Sequence, residues 1–240
     1  KIYNYKNPFE TLKGIIGCDI LISGGGSLLQ NKTGNLSLIY YLSVILLAKI
    51  FFKKVIIFAQ GIEPIRGKFF ENITKLILKI CNFISVRDKK SLELLQKWGI
   101  KASLVSDPAY YAVKNIPICE DKSGLTLQLR NVKGLNKEFI PNLAEIISKY
   151  FDNINVLILQ KEYDEEICMD FIKEFNKFSK NARLVYNKDI DSVIDILNKS
   201  EYVISTRLHG LIISSALGSK TFALSYDDKI KALVEELGIQ

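Results

Sequence analysis

The chain has 240 residues, of which 48% are hydrophobic, and its formal net charge is +7. This length fits one large α/β domain or two small ones, and the apolar content is high enough to exclude an intrinsically disordered chain. Four scattered cysteines without a CxxC spacing, beside a single histidine, argue against a zinc site and favour free, buried thiols in a reducing compartment.

Short β-rich runs alternate with longer helical patterns in the first half of the chain. The predicted strands cover residues 19–23, 54–59, 83–86 and 102–105. The predicted helices cover residues 34–52, 68–81 and 88–98. The most apolar run, 36–52, contains Lys49 and is shorter than the roughly 20 residues that span a bilayer, so we expect a buried helix there. A doubly wound domain usually has earlier strands, so we also expect an N-terminal piece to be missing.

A segment with two breakers and no clear period, 111–124, is typical of a linker. After it the alternation restarts, with strands predicted at 125–129, 154–159, 183–185, 202–204 and 221–224. Helices are predicted at 137–150, 163–178, 190–198, 208–217 and 229–237. Strands separated by helices of this length indicate βαβ units and parallel sheets. We therefore expect an α/β fold of two Rossmann-like domains, residues 1–115 and 116–240, facing a cleft.

The single histidine, His209, opens a predicted helix directly after a predicted strand, and Arg207 stands two residues before it. Unpaired backbone N–H groups and the positive end of the helix dipole make such a junction a site for anions. Arginine holds a carboxylate or phosphate through two hydrogen bonds, and histidine transfers protons near neutral pH. If the chain is an enzyme, the sequence places its site here.

Two further cations follow predicted strand ends of the second half, namely Arg130 and Lys229. Because the carboxyl ends of parallel strands share one edge of the sheet, we expect both to converge with Arg207 and His209 on a small, densely charged anion. The alternative is that each is separately solvated or is paired with a local acid such as Asp227.

The first predicted strand ends in Gly24-Gly25-Gly26, which lets a ligand or another backbone segment approach closely. The run is neither a GxGxxG fingerprint nor a Walker loop, so a structural turn and a ligand loop both stay open. Arg87-Asp88 is expected to form a helix cap with a salt bridge. Whether Asp107-Pro108, after the fourth predicted strand, has a structural or a functional role stays open.

Together these motifs resemble the polysaccharide pyruvyl transferase family, most closely its bacterial cell-wall branch, CsaB. The matching segments run in order over nearly the whole chain, at 22–30, 59–65, 84–88, 107–109, 129–130, 205–210 and 225–229. Each segment is weak alone, and their order makes the set specific. The chain departs from the family in lacking a first Gly-rich strand–helix unit and in having Asn131-Val132 after Arg130, where an aromatic residue often follows.

The resemblance implies a GT-B-like fold and an enzyme that transfers the pyruvyl group of phosphoenolpyruvate (PEP) to a sugar as a ketal, with release of phosphate. It implies that PEP is bound by Arg130, Arg207 and Lys229, with His209 in the same site. Since His209 is the only histidine, we expect it to be the catalytic residue, as general acid or as a partner of the phosphate. Candidates on the acceptor side are Gly24, Gly25, Gly26, Gln60 and, as base, Asp107.

The implied acceptor is a glycan, typically an N-acetylmannosamine residue of a lipid-linked cell-wall chain. The implied location is the cytoplasm, with peripheral association at the inner membrane face. These residues require no metal and no cofactor besides the co-substrate PEP.

Two other classes of function stay open. A GT-B glycosyltransferase would place the diphosphate of a nucleotide sugar at the same helix start. A basic nucleic-acid-binding module is the other, although the basic residues are dispersed and do not alternate with aromatic ones, so we expect no specific nucleic-acid partner.

Overall fold

The structure is a computed structural model, which describes residues 2–4, 6–32, 34–131, 138–224 and 234. The chain divides into two compact units, Lys1–Pro108 and Ala109–Gln240. The boundary lies seven residues before the expected one, because a short helix at the start of the expected linker packs within the second unit.

The first unit is a parallel four-stranded sheet with helices. Its strands are β1 (Ile20–Gly24), β2 (Lys54–Gln60), β3 (Phe83–Val86) and β4 (Ser103–Leu104), in that spatial order. Its helices are α1 (Pro8–Gly17), α2 (Asn35–Ile50), α3 (Lys68–Lys79) and α4 (Lys89–Lys97). All four predicted strands and all three predicted helices of this part are confirmed, whereas α1 was not predicted.

Helix α2 is the apolar run that we expected to be buried. Leu38, Leu42 and Ile45 recur at helical spacing and pack with strand residues such as Val55 in one core. Within the described part of the chain, no helix combines the length and the apolar character that a membrane crossing needs. The predicted helix is confirmed, but only one of its faces is buried, since Leu36 and Ile50 are 83% and 57% exposed.

The second unit is a parallel five-stranded sheet in the spatial order β7-β6-β5-β8-β9. Its strands are β5 (Leu125–Gln128), β6 (Asn153–Ile158), β7 (Asn181–Tyr186), β8 (Tyr202–Ser205) and β9 (Lys220–Ala223). Its helices are α5 (Ala109–Val113), α6 (Phe139–Ser148), α7 (Lys161–Asn176), α8 (Ile190–Lys199) and α9 (Leu208–Ala216). The helix predicted at 229–237 lies outside the described residues except for Val234.

The helices of the second unit cover both faces of its sheet. Helices α6 and α7 build one core cluster, and α5, α8 and α9 contribute to the other. The neighbouring strands β5 and β8, paired through Gln128 and Ser205, therefore lead to helices on opposite faces. Such a topological switch point opens a crevice at the carboxyl ends of the strands, which is where ligands bind in open α/β sheets.

Candidate functional site

Two of the predicted site residues stand at this switch point. Arg130 follows β5 and Arg207 follows β8, each two residues beyond the paired Gln128 and Ser205. The backbone N–H of Thr206 donates to the carbonyl of Gln128 at 3.0 Å, which continues the pairing of the two strands. The ends of these two strands are therefore adjacent because β5 and β8 are paired in the sheet.

Arg207 is held by two side chains at the start of α7. Its Nη1 donates to Gln160 Oε1 at 2.9 Å, and its Nη2 lies 2.5 Å from Asp164 Oδ1. The Arg207 side chain is 13% exposed, and among the described residues its Nε has no hydrogen-bond partner. The guanidinium is thus fixed in orientation and retains N–H donors beyond those used by Asp164 and Gln160.

Asp164 is the partner of Arg207 that sequence reasoning missed. Its side chain has no exposed surface, and its Oδ2 accepts hydrogen bonds from the backbone N–H groups of Leu159 and Gln160, at 3.1 and 2.8 Å. Asp164 therefore both holds the backbone directly before α7 and anchors Arg207. Burial of a carboxylate is costly unless it is hydrogen-bonded and paired in this way.

Arg130 lies over an aromatic ring of the same helix. Its guanidinium carbon is 5.1 Å from the centroid of the Tyr163 ring, within the range of a cation–π contact. The next residue, Asn131, donates its backbone N–H to the carbonyl of Tyr163 at 2.9 Å. The sequence has no aromatic residue directly after Arg130, and here one from α7 packs against that arginine.

A buried polar network supports the turn from β8 into α9. The Ser205 hydroxyl donates to Gln128 Oε1 at 2.7 Å and accepts from the backbone N–H of Arg207 at 2.9 Å. Gly210 packs so closely on this turn that a Cβ atom would come 2.6 Å from Ser205 Oγ. The glycine is therefore required by close approach, since its φ is ordinary.

His209 is exposed in the first turn of α9 and lines a pocket of about 240 Å³ between α8 and α9. Arg207 precedes it by two residues and extends toward α7, whereas His209 faces the α8 side. The two predicted site residues thus flank the start of one helix.

Lys229, like Asp227, lies outside the described residues, so its expected place in the site stays a prediction. In the described part of the chain, no three or more His, Cys, Asp or Glu side chains are grouped so that they could hold a metal ion. Only Cys168 of the four cysteines is fully buried; the other three are partly exposed, contrary to the expected burial of all four.

The glycine loop of the first unit has a backbone that only glycine adopts easily. Gly25 and Gly26 have φ values of +72° and +63°, and nothing lies within 4 Å of the position where a Gly25 Cβ would be. The loop is tied to the end of β2, because the Gly61 N–H donates to the Gly26 carbonyl at 2.8 Å. The turn therefore has a backbone conformation that favours glycine, and the space beside Gly25 is open.

Gln60 is buried beneath this loop. Its Nε2 donates to the carbonyl and to the hydroxyl of Ser23, at 3.0 and 2.8 Å, whereas its Oε1 is buried and has no partner among the described residues. Ala59, directly before it, has a φ of +48° at an irregularity in the β2–β3 pairing. Gln60 therefore stabilises the start of the glycine loop through its hydrogen bonds to Ser23.

Asp107 forms a buried ion pair with Arg87 at the same edge of the first sheet. The Arg87 Nη1 is 2.6 Å from Asp107 Oδ2, and the two side chains are 10% and 8% exposed. Asp88 accepts from the backbone N–H of Ser91 at 2.8 Å and begins α4, so the predicted helix cap is confirmed. The salt bridge of Arg87 is formed with Asp107, the residue that the resemblance suggests as a base.

A family model for polysaccharide pyruvyl transferase matches residues 1–228. The chain belongs to this family. The match covers both units and includes all the site residues discussed above except Lys229. The family is named for the transfer of pyruvyl groups to polysaccharides.

Solved structures of other enzymes share the fold. A putative UDP-N-acetylglucosamine 2-epimerase from Listeria monocytogenes matches with a TM-score of 0.61 at 12% identity, covering 91% of this chain and 61% of that one. The UDP-GlcNAc 2-epimerase from Methanocaldococcus jannaschii matches with a TM-score of 0.59 at 14% identity, covering 95% and 68%. The expected GT-B-like fold with Rossmann-like halves is thereby confirmed, and this chain spans about 61% of the length of the Listeria protein.

Proposed function

We propose that this protein transfers the pyruvyl group of PEP to two hydroxyls of a glycan, forming a ketal and releasing phosphate. The observation that carries the proposal is that Arg130 and Arg207 follow the two adjacent strands at the switch point of the second sheet, with His209 in the first turn of the helix that Arg207 precedes. In a member of the pyruvyl transferase family, arginines at two adjacent strand ends, one of them at the start of the helix that holds the only histidine, fit a small dianionic donor.

Each group has a distinct part in binding PEP. Arg207 is already paired with Asp164, so it contributes oriented N–H donors more than net charge. Arg130, held over Tyr163, forms no ion pair with a described residue and supplies positive charge, and the first backbone N–H groups of α9 complete an anion site. Lys229 is proposed as a further contact of PEP on the basis of the family motif.

The chemistry assigns His209 as the general acid. A proton from its imidazolium is added to C3 of PEP, with the electrons of the C2–C3 double bond forming the new C–H bond, and this leaves an oxocarbenium-like centre at C2. A sugar hydroxyl attacks C2 and loses its proton, after which the C2–O bond to phosphate breaks. A second hydroxyl then closes the ketal, and of the two hydroxyl protons one remains on phosphate and one restores the imidazolium.

The acceptor side is proposed for the first unit. The turn at Gly24–Gly26, with open space at Gly25, can lie against a sugar without side-chain interference. The proposed acceptor is an N-acetylmannosamine unit of a lipid-linked cell-wall glycan, and a net charge of +7 favours an anionic membrane face in the cytoplasm.

The test incubates the purified protein with PEP and a nitrophenyl N-acetylmannosaminide. Phosphate release together with a mass gain of one pyruvyl ketal on the sugar is expected. His209→Gln should lower the rate by about 10²–10⁴-fold, the usual contribution of general acid–base catalysis. Tyr150→Gln, at a ring that is 77% exposed, is the matched control and should leave the rate unchanged.

Consumption of a nucleotide sugar with neither phosphate release nor ketal formation from PEP would overturn the proposal in favour of a glycosyltransferase. Protection against thermal unfolding separates the same two functions, because PEP should raise the melting temperature and UDP should not.

A further inference from the structure

The pocket between α8 and α9 is lined by both aliphatic and polar residues. Its aliphatic lining consists of Leu159, Ile190, Val193 and Ile213. His209 and Asp189 are among its polar lining residues. A volume of about 240 Å³ is larger than a single methyl group occupies. Neither Arg130 nor Arg207 is among the residues that line this pocket, so anion binding by these arginines does not account for it.

The polar and apolar parts of this region lie on opposite sides of the start of α9. Arg207 extends to Asp164 on α7, and Arg130 lies over Tyr163 on the same helix. Helices α8 and α9 lie on the other face of the sheet, and the pocket is between them. The region therefore has a cationic side toward α7 and an aliphatic side toward α8, with His209 on the latter.

The charged and uncharged parts of PEP match these two sides. Its carboxylate and phosphate are attached to C2, and its C3 is an uncharged methylene that becomes a methyl group when it receives a proton. A group that protonates C3 must lie beside the methylene, and an aliphatic pocket lined by His209 meets this need.

Building on the proposed function, we propose that the α8–α9 pocket receives C3 of the donor and that Ile190 and Val193 determine which substituents C3 can carry. Ile190 is 56% exposed at the first position of α8, so a larger side chain there can narrow the pocket without disturbing the core. Val193, which is 4% exposed, lies deeper, and its truncation should enlarge the pocket.

The experiment compares PEP with (Z)-3-methyl-PEP, each with the same sugar acceptor. The wild type should use both donors, because the pocket has room for one more methyl group. Ile190→Phe should lower kcat/KM for 3-methyl-PEP by about tenfold or more relative to PEP, as expected when one methyl group no longer fits a hydrophobic pocket. Val193→Ala should shift the same ratio in the opposite direction.

Ile146→Phe is the matched control, because Ile146 is an equally exposed isoleucine, at 55%, on α6 away from the pocket. It should leave the ratio of the two donors unchanged.

Three results would overturn the inference while the proposed function stands. In each, ketal is formed from PEP. In the first, the donor ratio is the same in wild type, Ile190→Phe and Val193→Ala. In the second, neither the wild type nor Val193→Ala uses 3-methyl-PEP. In the third, Ile190→Phe raises KM for the N-acetylated sugar and not for its non-acetylated analogue, which would assign the pocket to the acceptor. Absence of ketal from PEP itself would instead overturn the proposed function.

Discussion

Arg207 reaches across the end of β5 to Asp164, with 2.5 Å between its Nη2 and the carboxylate Oδ1. The span follows from the strand order, since Arg207 follows β8, Asp164 lies in the helix after β6, and β5 lies between those two strands. The ion pair thereby ties two loops over the switch point and fixes the guanidinium before any ligand arrives. Preorganisation of this kind lowers the cost of binding a small anion.

Arg207→Lys should weaken PEP binding by about tenfold or more, the size of one hydrogen bond to a charged group (about 1.5–3 kcal/mol). A compact ammonium cannot hold Gln160 and Asp164 and also present a planar fork to a carboxylate or phosphate. Calorimetric titration with PEP measures the change. Arg183→Lys, at an exposed arginine of β7, should have no effect, and equal affinities of both variants for PEP would remove Arg207 from the binding site.

The Arg207–Asp164 pair should also be visible in stability. In a double-mutant cycle with Arg207→Gln and Asp164→Asn, we expect a coupling free energy of about 1–3 kcal/mol, because Arg207→Gln leaves a fully buried carboxylate without its cation. Urea unfolding of the four proteins gives the value. The exposed pair Lys199–Asp195 is the control, and its coupling should stay below about 0.5 kcal/mol. Additive effects at both pairs would contradict a structural role for Asp164.

Much of the second unit follows from its sequence, because most of its strands contain an apolar run and its longer helices have a periodic apolar face, whereas the five-residue α5 overlaps the predicted linker. Arg130 and Arg207 could be placed at strand ends on that basis alone. That these two arginines are adjacent could not be predicted, because it depends on β5 and β8 being neighbours in the sheet. The periodicity of apolar residues does not determine the order of the strands.

The sequence around Asp164 indicates that this residue is buried. The first two turns of α7 contain four acids, so acidity alone does not single it out. Asp164 precedes Cys168, Phe171 and Phe175 at helical spacing, which places it on the buried face of the helix. An acid on such a face needs a partner, and an arginine at a nearby strand end is the expected one.

The start of helix α1 is also indicated by the sequence, with Asn7 as N-cap and Pro8 at the first position.

Gly210→Ala should destabilise the second unit by about 1–3 kcal/mol, because the new methyl group would lie 2.6 Å from Ser205 Oγ and overpack the turn into α9. Thermal or urea unfolding measures the loss. Ser205→Ala in the same chain should restore part of it by removing the clashing oxygen. Gly17→Ala, where nothing lies within 4 Å of the new Cβ, should be close to neutral. Equal effects at Gly17 and Gly210 would show that close packing at Gly210 is not the cause.

The Cys168 thiol should be unreactive in the folded protein. It has no exposed surface, and burial raises its pKa to about 12 from an ordinary value of 9.0. Mass spectrometry after brief alkylation at pH 8 should find Cys168 unlabelled in the native protein and labelled in urea. Because the unfolded thiol ionises first, its contribution to stability should fall as the pH rises above 9.0 toward 12. Native labelling of Cys168 as fast as in urea would contradict this burial.

Variants of the buried pair Arg87–Asp107 distinguish a structural role of Asp107 from a catalytic one. Arg87→Met and Asp107→Asn should each lower the free energy of unfolding, by about 3 kcal/mol or more, because each leaves a largely buried group without its ionic partner. We expect the two variants to lose kcat in parallel at a temperature where both are folded, since the pair shapes the edge of the first sheet near the glycine loop. A loss of about 10²–10⁴-fold in Asp107→Asn alone would instead establish Asp107 as the base that accepts the proton of the sugar hydroxyl.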